Sequence, residues 1–80
     1  MAKAAKRATY TVIIQPESDP EFKGYHNAMV PALPGCFTYG ATRDEAIQNV
    51  REAIELYLED LEANGEPIPE EHIETIGIEI

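Results

Sequence analysis

The stretch TRDEAIQNVREAIELYLEDLEANGEP, residues 42–67, carries the one clear helical pattern in the chain. That single helix is the tightest constraint on the fold, because one helix can cover only one face of a sheet. Thr42 and Glu45 form a T-x-x-E capping box, in which each side chain satisfies a free backbone N–H at the helix start. Ala46, Ile47, Val50, Ile54, Tyr57, Leu58 and Leu61 recur at three- and four-residue spacing, giving one apolar stripe. Gly65 suits the C′ position at positive φ, and Pro67 forbids resumption. The spacing predicts a helix over residues 43–63, a rod of roughly 31 Å.

The rest of the chain reads mostly as strands. ATYTVIIQ (8–15) alternates, with Tyr10, Val12 and Ile14 on one side and Thr9, Thr11 and Ile13 on the other. PESDPEFK (16–23) is polar, holds two prolines and reads as a loop. GYHNAMV (24–30) is a second strand, closed by Pro31, which lacks the N–H that continued pairing needs. In LPGC, Pro34 fits position i+1 of a turn and Gly35 position i+2, so CFTYG returns as a third strand. EPIPEEH connects the helix to IETIGIEI (73–80), which alternates again with Ile76, Ile78 and Ile80 on one face.

The predicted class is therefore α+β, in the order β-β-β-α-β. An antiparallel three-strand meander carries one long helix on one face, and a right-handed crossover lays a fourth strand parallel to the first. Val12, Ile14, Ala28, Val30, Cys36 and the late isoleucines are expected beneath the helix. The far face carries Tyr25, Met29, Phe37 and Tyr39, with Thr11 and Ile13. That face is too apolar to stay wet and is expected to meet a second copy or another partner. Residues 1–7 read as a flexible basic tail and residues 8–80 as a single domain.

Charge narrows the partners. Fifteen acidic and six basic residues give −9, and three of the basic ones, Lys3, Lys6 and Arg7, lie in the first seven positions. From residue 8 onward three basic residues face fifteen acidic ones, a balance of −12. Such a body repels nucleic-acid phosphate and attracts a basic protein. Glu52, Glu55, Glu59 and Glu62 fall on the outer side of the helix, with Asp60 close by. Acids in a last turn oppose the helix dipole. The face reads either as ordinary solvation or as a partner surface, and Glu55, Glu59, Asp60 and Glu62 are the candidate contacts.

Catalysis finds little support in the residues. Cys36 has no activating neighbour and reads as a small buried thiol. His26 and His72 are not spaced as a metal pair. A two-metal nuclease needs clustered acids on strands, and residues 8–15 hold none. No catalytic, cofactor-binding or metal-ligating residue is assigned. No apolar run is long enough to span a membrane, and a single cysteine suits a reducing cytosol, so a cytoplasmic protein is expected.

The stretch GYHNAMVPALPGCFTYGATRDEAIQNVREAIELYLEDLEANGEPIPEE, residues 24–71, resembles the HicB-like antitoxin family. The shared pattern is Gly-Tyr, a short strand, V-P-x-L-P-G-C, then G-x-T-x-x-E-A, a helix with A-I and L-Y-L, and G-x-x-I-P. The resemblance implies a partial, degenerate ribonuclease-H-like fold without catalytic acids. It also implies a partner, a small basic HicA-like mRNA interferase toxin whose active site the antitoxin blocks. A homo-oligomer, dimer or tetramer, is expected beside it. Many family members carry a C-terminal DNA-binding domain; none is seen in these residues, and no direct DNA binding is expected. The competing readings are an orphan homo-oligomeric domain with another ligand, and a residual metal-dependent nuclease.

Overall fold

The structure is a computed structural model and describes residues 8–80. The tail expected over residues 1–7 lies outside the described residues. The elements are β1 (Ile13–Pro16), a short 3-10 turn (Pro20–Phe22), β2 (His26–Met29), β3 (Phe37–Gly40) and α1 (Arg43–Ala63). The strands form one antiparallel sheet in the order β1-β2-β3, and α1 covers one face of it.

Both ends of α1 are built as its capping residues dictate. The Thr42 hydroxyl accepts the Glu45 N–H at 3.0 Å, and the Glu45 carboxylate reaches back to the Ala41 N–H, one residue before the cap. At the far end Gly65 sits at φ +71°, where a Cβ is disfavoured. The Glu66 N–H bonds Leu61 C=O at 2.9 Å, and the Gly65 N–H bonds Glu62 C=O at 3.0 Å. This is a Schellman motif, which satisfies carbonyls the helix leaves free.

Residues 30–36 form a double turn that shapes the sheet. Leu33 N–H bonds Val30 C=O at 3.0 Å and Cys36 N–H bonds Leu33 C=O at 2.9 Å, giving two successive β-turns with Pro31 and Pro34 at their second positions. Leu33, held between the prolines, is 0% exposed. Sequence reasoning treats it only as part of a turn, yet it joins Ala28, Val30, Cys36, Ala46 and Val50 in the buried core. Val12, Ile14, Ile54, Tyr57 and Leu58 pack around that core.

The strands are shorter than their alternation predicts. Ile13 pairs with Met29, so Thr11 and Thr9 would have to pair with Pro31 and Leu33. Those residues are already committed to the turn, and the ladder stops at Ile13.

The expected fourth strand is absent from this sheet. Residues 73–80 have no strand partner, and Ile76 and Ile78 are 73% and 72% exposed, with Ile80 exposed beside them, instead of lying beneath α1. The connector that leads to this segment is itself tied down upstream of β1. Tyr10 Oη donates to Pro69 C=O at 2.6 Å, and the Glu71 carboxylate takes the Thr11 N–H and hydroxyl at 2.5 and 2.6 Å. The chain is tied beside the residues that precede β1, and its last eight residues do not run along the β1 edge.

Gly40 lets α1 approach the sheet. A Cβ built there would lie 2.7 Å from the Glu45 carbonyl carbon and 2.8 Å from Ala46 Cα, both backbone atoms that cannot swing aside. Gly40→Ala is therefore expected to cost about 1–3 kcal/mol by overpacking. Gly65→Ala, with open space around it, is expected to cost only about 1 kcal/mol through its φ. Urea denaturation of both variants checks the order; an unchanged midpoint for Gly40→Ala would contradict the close approach.

Candidate functional site

The sheet face opposite α1 is uncovered. Register aligns Ile13, Met29 and Phe37 in one cross-strand row and Gln15, Asn27 and Tyr39 in the next. Exposure along the first row rises from 41% at Ile13 through 47% at Met29 to 71% at Phe37, and Tyr39 is 61% exposed. Tyr25 is half-buried and works as a support. Its ring meets Phe22 edge-on at 5.6 Å and tilts against Tyr39 at 6.1 Å. Asn27 Nδ2 donates to Glu17 at 2.8 Å; this bond and the N–H groups of Asp19 and Ser18 hold the Glu17 carboxyl below its ordinary range.

Phe37 also belongs to a second surface. Beside the outer edge of β3 a shallow groove of about 640 Å³ runs along α1, with Cys36, Phe37, Ala53, Leu56, Tyr57, Glu59 and Asp60 among its lining. Leu56 is 69% exposed there. Sequence reasoning misses Leu56 because it falls off the apolar stripe; a leucine on an otherwise charged helix face is the signal that could have found it. Tyr57 Oη donates to Pro34 C=O at 2.9 Å, which ties this side of α1 to the turn.

The β3 edge itself is partly open. The Val30 N–H bonds Cys36 C=O at 3.0 Å, so by antiparallel alternation the backbones of Phe37 and Tyr39 face outward. Asn49 Nδ2 donates to the Tyr39 carbonyl at 2.9 Å. The N–H and C=O of Phe37 keep no partner among the described residues. Cys36 is buried at 6% exposure, and burial pushes its thiol above the ordinary value. That is the wrong direction for a nucleophile.

The structure thus brings Phe37, Glu59 and Asp60 to one groove, next to Met29 and Tyr39 on the outer face. Glu55 and Glu62 line the opposite flank of α1, and Glu59 touches both flanks. These four acids are exposed, and none makes a salt bridge among the described residues. The last turn of α1 holds no basic residue. Among the described residues no group of three or more His, Cys, Asp or Glu is placed to hold a metal. No described helix is long and apolar enough to cross a membrane.

The tie at Glu71 titrates. The Thr11 hydroxyl and then its N–H lower the Glu71 carboxyl, while burial and then the Glu71 charge raise the Tyr10 hydroxyl. A depressed carboxyl contributes stability that is complete above the unfolded value of about 4.3 and is lost as pH falls through the lower folded value. The difference in thermal midpoint between wild type and Glu71→Gln is therefore expected to be largest at neutral pH and to close in acid. A difference that stays constant across that range would contradict the tie.

Comparison with known proteins gives a consistent picture. A family model described as a HicB-like antitoxin of a bacterial toxin–antitoxin system matches residues 10–78. A "UPF0150 protein" of Thermoplasma acidophilum is 48% identical over 69 residues, covering 86% of this chain and 94% of that one. A second "UPF0150 protein", from Synechocystis, is 50% identical over 64 residues, covering 80% and 76%. No solved structure matches the chain significantly.

Proposed function

The chain belongs to the family of HicB-like antitoxins of bacterial toxin–antitoxin systems, and from that premise we propose that it neutralises a small basic ribonuclease toxin of the HicA type by covering its active site. The observation that carries this reading is the β3 flank. There two exposed apolar residues, Phe37 and Leu56, line one groove at an open strand edge together with the acids Glu59 and Asp60. An apolar centre with a charged rim is how protein interfaces are built. A ribonuclease must be basic to hold RNA, so the rim meets the charge it complements.

On this reading the protein is not an enzyme. We read the fold as a partial ribonuclease-H-like unit without its catalytic carboxylates, since β1, IIQP, holds no acid. Incubation with RNA or RNA–DNA hybrids in Mg²⁺ or Mn²⁺ should release no product; metal-dependent cleavage that survives repurification would contradict it. The acidic body leaves DNA outside the set of partners. The toxin's mRNA substrate puts the pair in the cytoplasm.

Opposite charges raise the association rate more than they slow dissociation. Binding to a purified HicA-type toxin should therefore associate several-fold more slowly at roughly 0.5 M salt, where the screening length is about 4 Å, than at low salt. Reversal of Glu59 and Asp60 to Lys should mimic high salt. Phe37→Ala should act mainly on dissociation and cost roughly 2 kcal/mol as an interface anchor. Association indifferent to both salt and charge reversal would leave the acidic rim as plain solvation.

A further inference from the structure

The other flank of α1 holds a larger opening. A groove of about 1270 Å³ runs between α1 and the residues leading into β1. Its floor and walls include Val12, Ile47, Val50, Ile54, Leu58 and Ile68. The helix stripe overhangs the sheet here with no strand beneath it. The edge alongside is open as well. The Glu17 N–H bonds Tyr25 C=O at 2.8 Å, so alternation turns the backbones of Ile13 and Gln15 toward β2 and those of Val12, Ile14 and Pro16 outward. The Ile14 N–H and C=O have no partner among the described residues. Pro16, with no N–H to offer, is suited to an edge strand.

The same chain carries a segment shaped for that opening. Residues 73–80 alternate so that Ile76, Ile78 and Ile80 share one face, and all three stand exposed. We infer that residues 73–80 of one copy dock as a fourth strand on the β1 edge of a second copy, with Ile76, Ile78 and Ile80 filling the groove under α1. Each chain has one donor strand and one acceptor groove, and its own donor does not occupy its own groove. Reciprocal exchange satisfies both in a closed two-fold dimer. Three isoleucines present on the order of 400 Å² per chain, so two donors and the walls they cover exceed the roughly 1,000 Å² that a specific interface needs. The β3 edge is the poorer acceptor, because Asn49 already occupies the Tyr39 carbonyl. The inference does not depend on the toxin assignment, which uses the opposite flank.

Charge gives this dimer a distinctive sign. Glu55, Glu59, Glu62, Glu70 and Glu71 line the acceptor groove against the single cation Arg51, and the donor brings Glu74 and Glu79. Screening of these like charges should tighten the dimer as salt rises, opposite to the toxin complex.

Sedimentation of the full chain at tens of micromolar, at moderate salt, tests it. Wild type is expected to run as a dimer. The double variant Ile76→Glu with Ile78→Glu, changed at exposed positions, is expected to run as a monomer with its helical circular dichroism intact. Ile54→Glu, which blocks the groove, should also be monomeric, and mixing it with the donor variant should restore a dimer through one intact exchange. Phe37→Glu should leave the dimer unchanged. A monomeric wild type would overturn the inference, as would a dimer that survives Ile76→Glu with Ile78→Glu. Should Ile54→Glu fail to fold, the donor variant alone decides.

Discussion

Everything in this protein follows from one helix resting on a sheet too small for it. Twenty-one residues of α1 extend over strands of four residues each. The contact is made close by Gly40, which brings Ala46 down onto β3, and is pinned by Asn49 on Tyr39 and Tyr57 on Pro34. The fully buried core is correspondingly small, from Ala28 to Val50. A core of this size yields marginal stability, so the few polar ties at its edges matter. Because the helix outreaches the sheet, apolar surface remains on both of its flanks, and because it covers only one face, Ile13, Met29, Phe37 and Tyr39 stay exposed on the other.

Those leftovers divide by chemistry. On the β3 flank, Phe37 and Leu56 share one groove with Glu59 and Asp60, beside an edge whose backbone is partly free. That combination suits a basic partner which brings its own apolar contact. On the β1 flank the groove is larger, with aliphatic side chains from Val12 to Ile68 set among acids, and the alternating segment with three exposed isoleucines belongs to the chain itself. One acidic helix crest serves both flanks, since Glu59 lines the groove on either side. The acids that oppose the helix dipole in its last turn thus cost some local stability. The toxin reading gives them a use.

What could be read from residues alone was what local chemistry controls. The capping box, the Asn-Gly-x-Pro stop and the three-four spacing mark α1 to its ends, and Gly65 has the positive φ its place demands. The Pro-Gly turn and the two faces of the meander were legible for the same reason. What was not legible depends on how segments meet. The alternation over residues 8–15 says nothing of where β2 turns away, so the length of β1 was invisible. Leu33 looks like a loop residue until two turns fold it inward, and Gly40 looks like any strand-end glycine until the helix arrives. The alternation of IETIGIEI is real, but alternation cannot specify which sheet edge a strand will join. Of the candidate contacts, Phe37, Glu59 and Asp60 converge. Glu55 and Glu62 are drawn to the far flank by a helical rotation that a one-dimensional list does not display.

The central claim is that the β3 flank is where this antitoxin-family protein meets its partner. Hydrogen–deuterium exchange of the full chain, free and bound to a purified HicA-type toxin, addresses it most directly. The expected result is new protection confined to Phe37–Gly40 and to the α1 turns carrying Leu56, Glu59 and Asp60. Protection that appeared only along β1 and residues 68–71, with the β3 flank exchanging as freely as before, would contradict it.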